Sequence, residues 1–406
     1  MAKLKTLFIF LRWPEPTSSA AGWRMLQIMS ALRNMSSEII AASAADKTEY
    51  SQALGIVDRE QMVVINDQSF DQFIQELQPD LVVFDRFITE EQFGWRVAKH
   101  VPKAIRVLDT EDIHFLRHAR EQALITSSMD LDFHNEECYR ELASILRCDL
   151  SLMISEAEMM LLKNKFGAPD SRLHYLPFLH HESEFVYRSF EERDGFVFIG
   201  NFLHKPNADA VKVMKEMLWP LIRKKIPKAQ LRIYGAYMDE HWQQLNDPSS
   251  GFYMMGRAED ATSILSNAKV LLAPIRFGAG LKGKIFQALQ CGTPVVSTAI
   301  GLEGFFDERV AVMPDNNWDD LAAQAELLHQ DQALWQAKMQ QGKNLLVQRF
   351  SRSAFSSSFI ERIDALTNSL EMQRKSDFQS AMLNYHSFRA AQFMARWIEE
   401  KNSKSD

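Results

Sequence analysis

The chain has 406 residues, of which 46% are hydrophobic and 24% are charged, and its formal net charge at pH 7 is −7. This length exceeds one ordinary α/β domain and is sufficient for two domains, each with its own hydrophobic core. The acidic balance argues against bulk nucleic-acid binding, which needs a basic surface, and no apolar run reaches the roughly 18 residues of a membrane-spanning helix.

The cysteines and the first residues narrow the class of protein further. Cys138, Cys148 and Cys291 are scattered and odd in number, so we expect buried reduced thiols rather than a disulfide framework or a metal site. The apolar stretch Leu7 to Leu11 is too short for the core of a signal peptide. We therefore expect a soluble, cytoplasmic protein.

The first half of the chain alternates short apolar runs with helical patterns. Strands are predicted at TLFIFL, EIIAAS, QMVVI, DLVVFD, AIRVLD and DLSLMIS, in chain order. Helices are predicted from about Gly22, near Phe70–Leu77, near Glu90–His100, from Asp130 to Arg147 and from Glu156. Continuous apolar strands between amphipathic helices predict a parallel sheet with both faces covered, and hence a Rossmann-like domain over residues 1–185.

The periodicity fades between about Leu176 and Arg193, which we interpret as the connection to a second domain. A second array of strands and helices follows and predicts another Rossmann-like domain over residues 190–372. The rest of the chain is predicted to be helical. A last helix at about 376–402 is expected to pack back on the first domain and to place its Met, Phe, Trp and Tyr side chains in the core. The predicted fold class is α/β, with two doubly wound domains facing each other across a cleft.

A glycine-rich turn stands between a strand and a helix within Lys269–Thr298. Gly278, Gly280 and Gly283 would let the backbone approach an anion, and the N-terminus of the following helix would direct its free N–H groups to the same place. Lys282 adds a positive charge where the helix dipole alone would favour an acid. The turn therefore predicts a diphosphate site, and the alternative is a solvated lysine beside a tight turn.

The residues from this turn onward resemble a known family, the group 1 retaining glycosyltransferases of the GT-B fold, in a form similar to family 4. Phe196–Val211 also resembles the first strand, loop and helix of that family's C-terminal domain. The residues that carry the resemblance are Pro274, Arg276, Gly278, Ala279, Gly280, Lys282, Lys284, Gln287, Ala288, Gly292, Pro294, Val295 and Val296.

The resemblance implies a function and a donor site. A sugar would pass from a nucleotide diphosphate sugar to a hydroxyl acceptor, with retention of configuration and without a metal or other cofactor. Two positions depart from the family pattern: Gln287 stands where a glutamate is usual, and Asn201 replaces a basic residue. The residues implied to bind the donor are Gly22, Gly200, Asn201, Lys205, Arg257, Arg276, Gly278, Ala279, Gly280, Leu281, Lys282 and Gln287.

Ionisable residues at strand ends of the first half supply the other candidates. The catalytic group is predicted to comprise His114, Asp109 and Asp112 together with Lys282, and the acceptor is expected to contact Arg24, Arg86 and Glu90. Two alternatives stay open for the cluster after the fifth strand. Asp109 or Thr110 could cap a helix whose first turn holds Glu111 and Asp112. His114 and His118, at i and i+4, could also belong to a metal site, although no third ligand stands at a recognisable spacing.

Two rival functions use the same fold. The Gln287 departure allows a catalytically inactive, glycosyltransferase-like binding subunit, and a different sugar-nucleotide or phosphorylase reaction is a further alternative. The expected partners are a nucleotide sugar and a glycan, lipid-linked glycan or small-molecule acceptor, with no nucleic acid. Peripheral membrane association and the oligomeric state are left open.

Overall fold

A computed structural model of the chain describes residues 3–51, 54–305 and 317–403, without the side chains of 402 and 403. It contains two parallel β-sheets, one of seven strands and one of five, with helices around both. The predicted α/β class with two doubly wound domains is therefore confirmed.

The first sheet has the strand order β3-β2-β1-β4-β5-β6-β7. Its central strands are fully buried because helices cover both faces, which explains their continuous apolar sequences. The strands are β1 (Leu4–Phe10), β2 (Ser36–Ser43), β3 (Arg59–Met62), β4 (Leu81–Asp85), β5 (Ile105–Asp109), β6 (Leu150–Met153) and β7 (Leu173–Tyr175). The helices between them are α1 (Ala20–Leu32), α2 (Gln68–Leu77), α3 (Arg86–His100), α4 (His114–Thr126), α5 (Glu136–Arg147) and α6 (Glu156–Phe166).

Three of the differences between these elements and the sequence predictions have a clear physical reason. β7 has only three residues and was not predicted, since so short a run carries no periodicity. The helix expected from Asp130 begins at Glu136, where Asn135 caps it by accepting a hydrogen bond from the Cys138 N–H. The third strand covers Arg59–Met62, so the apolar residues after it lie outside the sheet.

The second sheet has the strand order β10-β9-β8-β11-β12. A π-helical turn at Met214–Leu218 joins two of its helices, and Pro220, which has no N–H to donate, follows that turn. The strands are β8 (Phe196–Ile199), β9 (Leu231–Tyr234), β10 (Phe252–Gly256), β11 (Val270–Ala273) and β12 (Val295–Ser297). The helices are α7 (Lys205–Val213), α8 (Trp219–Lys225), α9 (Glu240–Gln243), α10 (Ala261–Asn267), α11 (Gly283–Gln290) and α12 (Ala299–Leu302).

Four helices complete the described chain: α13 (Trp318–Gln330), α14 (Gln332–Arg349), α15 (Arg352–Ser376) and α16 (Phe378–Ser403). α13 and α14 pack on the second domain. α15 places Phe359, Ile363 and Leu366 in the core of the first domain, and α16 packs on α3 and α5. The chain thus returns to the first domain at Arg352, earlier than the predicted position near 376.

The last helix was also expected to place its Met, Phe, Trp and Tyr side chains in the core, and for several of them this prediction is wrong. Tyr385, Phe393, Met394 and Trp397 are each more than half exposed, with 58%, 60%, 59% and 61% of their surface accessible, and so do not belong to the core. Within the described ranges, no helix combines the length and the apolarity that crossing a bilayer requires.

An aromatic cluster joins the two domains where the chain passes between them. Trp23 of α1 stacks on Phe178 of the connecting segment, with ring centroids 5.0 Å apart, and both rings contact Phe286 of α11 at 5.3 and 5.2 Å. These contacts fix α1 and α11, the first helices after the carboxyl edges of β1 and β11, against each other.

Candidate functional site

The glycine-rich turn of the second domain lies directly against the first domain. Gly280 has a φ of +63°, a conformation that side chains rarely adopt. A Cβ atom at this position would stand 2.9 Å from the Cβ of Asp112 and 3.1 Å from Cγ2 of Ile154. Glycine is therefore required at this position for two reasons: the backbone angle and the close approach of the two domains.

Lys282 is the N-cap residue of α11, so it precedes the first helical turn in which it was predicted. Its Nζ donates a hydrogen bond to the carbonyl oxygen of Gly280 at 2.7 Å. Burial lowers the pKa of Lys282 to about 8, although the negative charge of Glu303 opposes this shift. The lysine is therefore held beside the turn, with an ammonium group that loses its proton more easily than usual.

Lys284, the second residue of α11, is a second basic residue at this turn. Its Nζ donates to Oδ1 of Asn207 at 2.6 Å and lies 3.9 Å from the centroid of the Phe198 ring. Burial and the neighbouring Lys282 lower its pKa. A Cβ on Gly200 would come within 2.8 Å of this Nζ, so the end of β8 and the start of α11 lie close together at this ammonium group.

Glu158 of α6 reaches the glycine turn from the first domain. Its Oε1 accepts hydrogen bonds from the N–H groups of Ile113 and Gly280, both at 2.8 Å. The side chain is fully buried, and its Oε2 has no hydrogen-bond partner in the part of the chain that the structure describes. Burial raises the pKa of Glu158 to about 8. The Glu158 carboxyl oxygen thus accepts the hydrogen bond from the Gly280 N–H that an anionic ligand would otherwise accept.

Arg120 of α4 forms a second bridge between the domains. Its guanidinium binds both carboxylate oxygens of Glu303 at 2.7 Å and donates to the carbonyl oxygen of Gly278 at 2.6 Å. Burial alone would raise the pKa of Glu303, but the hydrogen bonds and charge of Arg120 outweigh burial and lower it. This bidentate pair, with its contact to Gly278, holds the turn against the first domain.

Two of the predicted donor residues lie at further contacts between the domains. Lys205 is 74% exposed and its Nζ lies 3.0 Å from the carboxylate of Glu121. Arg257 donates to Oγ1 of Thr17 at 3.1 Å and its guanidinium lies 4.5 Å from the Tyr50 ring centroid.

Glu15 makes another contact across the cleft. The Tyr237 hydroxyl donates to its two carboxylate oxygens at 2.9 and 3.1 Å. Glu15 belongs to the loop after β1, and a Cβ on Gly22 would stand 2.5 Å from the Glu15 N atom. The predicted glycine therefore lets α1 begin close under this loop.

The remaining predicted donor residues are of two kinds. Arg276 forms a bidentate pair with Asp209, with Nε at 2.9 Å from Oδ2, and the Asn201 carbonyl accepts from the Asn207 amide at 2.8 Å. By contrast, the side chains of Ala279 and Leu281 are buried in the cores of the first and second domains. These last two residues can contact a ligand only through their backbone.

Gln287 lies one turn after Gly283 on α11, hence on the same face of the helix. A Cβ on Gly283 would collide with Ala20 of α1, so this face is turned toward the first domain. The Gln287 side chain is half-buried and forms no hydrogen bond with the residues that the structure describes. It is therefore available to a ligand between the domains.

His114 and Asp112 do lie together, at the start of α4. Nε2 of His114 is 3.4 Å from Oδ1 of Asp112, and its ring meets Phe87 edge-on at 5.4 Å. Burial lowers the pKa of His114 to about 3, so the imidazole is neutral near pH 7. Burial would raise the pKa of Asp112, but the charge of Arg117, which donates to it, lowers the pKa instead.

The two alternatives for this cluster do not fit the geometry. α4 begins at His114, and the carboxylate of Glu141 accepts from the N–H groups of His114 and Phe115 at 3.1 and 3.0 Å, so neither Asp109 nor Thr110 caps it. His118 lies near Glu137 at 3.5 Å instead. Residues 3–51, 54–305 and 317–403 contain no group of three His, Cys, Asp or Glu side chains placed to hold one metal ion.

Three predicted site residues have structural positions inside the first domain. Arg24 and Asp109 are 1% and 0% exposed and form a buried ion pair at 2.7 Å, and Arg24 also donates to the Leu176 carbonyl at 2.7 Å. Glu90 is 1% exposed and binds the buried guanidinium of Arg147, with Nε at 3.0 Å. A catalytic role for Asp109 and acceptor roles for Arg24 and Glu90 do not fit these positions.

Arg86 remains in the cleft and has a partner that the sequence did not indicate. Arg86 and Glu111 have φ values of +67° and +59°, and they follow the neighbouring strands β4 and β5. Their side chains form an ion pair at 2.7 Å. Burial raises the pKa of Glu111 to about 8 although Arg86 opposes this. Non-glycine residues with positive φ are costly and are concentrated at functional sites, so this pair is a candidate for acceptor contact.

Sequence reasoning missed Glu158, Arg120 and Glu303. Glu158 stands in the first turn of α6, where an acid is ordinary because it favours the helix dipole. Nothing in the local sequence indicates that any of these three side chains crosses to another domain, and only the packing of the two sheets brings them to the turn.

Comparison with known proteins finds a family match in the second domain and structural matches over most of the chain. Residues 193–331 match the family model of glycosyl transferases group 1. Sucrose-phosphate synthase from Thermosynechococcus elongatus is similar in structure, with a TM-score of 0.67 and 13% identity over 90% of this chain and 100% of its own. HepE from Anabaena, in complex with UDP, has a TM-score of 0.67 and 12% identity over 89% of this chain and 100% of its own.

A larger relative has the same fold. A mutant of S. aureus TarM, solved with fondaparinux, alpha-GlcNAc-glycerol and UDP, matches with a TM-score of 0.56 and 13% identity over 74% of this chain. The match spans 58% of that TarM chain. No curated protein matches the chain in sequence. The chain has the GT-B fold, and its residues 193–331 are similar to the group 1 glycosyl transferase model.

Proposed function

We propose that the protein is a glycosyltransferase that moves a sugar from a nucleoside diphosphate sugar to a hydroxyl acceptor, with the donor diphosphate bound at the Gly278–Gly283 turn. The observation that carries the proposal is the convergence of Lys282, Lys284 and the N-terminus of α11 on this turn, which faces the other domain at Gly280. Free N–H groups and lysines at one helix start suit a diphosphate.

Donor binding at the turn would replace one contact within the protein. The Gly280 N–H now donates to Glu158, and a phosphate oxygen that takes this N–H would displace the carboxyl group. Glu158 has a raised pKa and so would be displaced in its neutral form below pH 8 or so, which avoids leaving a buried charge without a partner. We assign Glu158 a positioning role, since it holds the turn ready for the donor.

In the proposed reaction the bond between the anomeric carbon and the diphosphate oxygen breaks, and the acceptor oxygen bonds to the same carbon. The acceptor proton passes to the departing diphosphate. Negative charge grows on that leaving group, so Lys282 and the turn N–H groups stabilise the transition state more than the ground state.

Retention of configuration is part of the proposal and rests on the resemblance of the turn to retaining enzymes. Departure and attack on one face of the sugar is supported by two acids that the sequence placed in the catalytic group, because each is bound by an arginine. Asp109 binds Arg24, and Asp112 binds Arg117. Neither carboxylate is placed as the nucleophile that a double displacement needs.

For the acceptor we propose a hydroxyl-bearing glycan, lipid-linked glycan or small molecule near Arg86, Glu111 and His114. A neutral imidazole can accept a hydrogen bond from a sugar hydroxyl, and the low pKa of His114 keeps it neutral. The basic groups at the turn replace a metal ion in this proposal, so a chelator should leave turnover unchanged.

A donor panel tests the function. Wild-type protein is incubated with nucleoside diphosphate sugars, beginning with uridine donors because two of the similar structures contain UDP, and the released nucleoside diphosphate is measured. We expect Lys282→Ala to lower turnover at saturating donor by at least about a hundredfold, as loss of one group that stabilises the leaving charge does.

The matched control for this experiment is Lys338→Ala, which removes an exposed lysine of α14 and should leave turnover unchanged. Equal turnover of Lys282→Ala and wild type at saturating donor would contradict the assignment. A protein that binds nucleoside diphosphates but releases none from any sugar donor would instead be the inactive binding subunit.

A further inference from the structure

The last described helix, α16, meets the first domain through several polar contacts. Its inner face meets the first domain through charged and amide groups: Arg96 donates to Glu399, and Arg106 donates to Oδ1 of Asn384 at 2.9 Å. At its start, Arg172 donates to Asp377 at 2.8 Å. A helix on a soluble surface normally buries its large apolar side chains and exposes polar ones, whereas α16 buries Ser380 and Ala395 and leaves its largest apolar side chains exposed.

The outer face of α16 carries a stripe of large exposed apolar side chains that is interrupted by Arg389. Residues at spacings of three and four along a helix share one face, and this face carries large apolar side chains over five turns. We call these residues the outer stripe: Phe378 (81% exposed), Met382 (48%), Tyr385 (58%), Phe393 (60%) and Trp397 (61%). Single exposed apolar residues are ordinary on protein surfaces, but a contiguous patch indicates a binding surface.

The charged residues of this helix are also unevenly distributed. The chain as a whole is acidic, yet no aspartate or glutamate occurs from Phe378 through Ile398. The charged residues of that stretch are Arg389 and Arg396, both exposed and both within the outer stripe. The Arg389 guanidinium lies 5.2 Å from the Tyr385 ring centroid and 6.0 Å from that of Phe393. Basic and aromatic side chains thus alternate on one exposed face.

We propose that α16 lies in the interface of an anionic lipid bilayer, with the outer stripe inserted among the headgroups and Arg389 and Arg396 paired with lipid phosphates. Helices that bind in the plane of a membrane combine such an aromatic and aliphatic face with basic residues. Arginine stems reach along apolar surface while their guanidinium groups remain at the headgroup level. This inference stands independently of the donor site.

Charge complementarity favours lipid over a second copy of the chain. In a symmetric dimer the same patch would meet itself, and an antiparallel pairing about the middle of the stripe would bring Arg389 toward Arg389 of the other copy. Like charges in a desolvated contact are unfavourable, whereas an anionic headgroup neutralises each of them.

Vesicle co-sedimentation of the full chain tests the proposal, with phosphatidylcholine vesicles that contain or lack phosphatidylglycerol. We expect binding to the anionic vesicles that weakens at high salt. The variant Phe393→Ser with Trp397→Ser should bind at least about tenfold more weakly, since each ring loses its burial in the interface. The matched control, Val64→Ser with Tyr187→Ser, removes two apolar side chains of similar exposure, 56% and 59%, and should bind as wild type does.

A second variant separates charge from apolar insertion. Arg389→Glu with Arg396→Glu should abolish the preference for anionic vesicles. Failure of wild type to sediment with anionic vesicles would overturn the proposal, as would equal binding by the Phe393 and Trp397 variant. A dimer that this variant dissociates, seen by analytical ultracentrifugation, would assign the stripe to a second copy instead. UDP binding, measured on the same samples, reports on the donor site alone.

Discussion

At the scale of single residues, Lys282 and Glu158 approach one glycine turn from opposite domains, and burial moves the pKa of each to about 8. For the lysine this means a weaker hold on its proton, and for the carboxyl group a stronger one. Their proximity to the Gly280 backbone makes the charge at the turn sensitive to pH within the ordinary working range.

The pH dependence of donor binding follows from Lys282. Its ammonium form, which attracts the diphosphate, predominates below a pH of about 8 and is lost as the pH rises through that value. We therefore expect the affinity for a nucleoside diphosphate to fall above pH 8 or so, and binding in that range to take up protons. Calorimetric titrations at several pH values measure both effects.

Lys282→Arg is the control for this interpretation, because a guanidinium keeps its charge throughout the range. The variant should lose the part of the alkaline decline that Lys282 causes and keep only the part due to Glu158, whose carboxyl group also ionises near pH 8. An unchanged alkaline decline in the arginine variant would assign the pH dependence to another group.

The buried pair of Arg24 and Asp109 predicts an effect on stability rather than on donor chemistry. Removing one partner of such a pair leaves the other charge buried, which costs about 3–5 kcal/mol. Asp109→Ala should therefore melt at a clearly lower temperature in calorimetry. Lys375→Ala, which removes the exposed pair with Glu371, should melt as wild type does. An Asp109→Ala protein with wild-type melting and lost turnover would restore the catalytic assignment.

The sequence indicated the glycine turn and Lys282 but misjudged neighbouring acids. At a strand end, position alone does not tell whether a side chain points into the cleft or under the adjacent helix. Asp109 points under α1 to Arg24, whereas Asp112, three residues later, lies against the turn. That distinction depends on packing between elements and not on local pattern.

At the scale of elements, the turn between β11 and α11 depends on Gly280 for both its backbone angle and its contact with the first domain. Gly280→Ala would add a Cβ 2.9 Å from that of Asp112, so the domains must separate. We expect a protein that folds but whose donor turnover falls by at least about tenfold, because misplacing reacting groups by a fraction of an ångström is costly.

Gly167→Ala is the matched control for that variant. Gly167 has nearly the same φ, +66°, but a Cβ there would meet no atom within 4 Å. It therefore carries the backbone strain without the collision between domains. Equal turnover in both variants would show that the contact of Gly280 with the first domain has no catalytic consequence.

The long apolar runs predicted their strands because a buried parallel strand has no polar face. Short elements, and helices with a mixed pattern, could not be predicted in this way. β7 has three residues, and the apolar side chains of α16 look like those of a core helix although they point outward. A helix pattern records which residues share a face but not which face is buried.

At the scale of the whole molecule, the chain crosses from the first domain to the second near Phe178 and returns to the first through α15 and α16. The two domains are therefore connected twice. The aromatic cluster of Trp23, Phe178 and Phe286 acts at the crossing, and the Arg120–Glu303 pair joins the domains beside the turn. The two-domain α/β plan was readable from the chain's length and from the alternation of its elements. The contacts that close the cleft were not, because they join residues 84 or more positions apart in the sequence.

The central claim is that this closed cleft holds a nucleoside diphosphate at the turn of the second domain. Calorimetric titration of wild-type protein and of Lys282→Ala with UDP and with the other nucleoside diphosphates tests it most directly. We expect saturable binding of at least one diphosphate by wild type and a loss of at least about tenfold in affinity in the variant, as for one charge-assisted contact. Absence of binding by wild type to every diphosphate, or equal affinity in the variant, would contradict it.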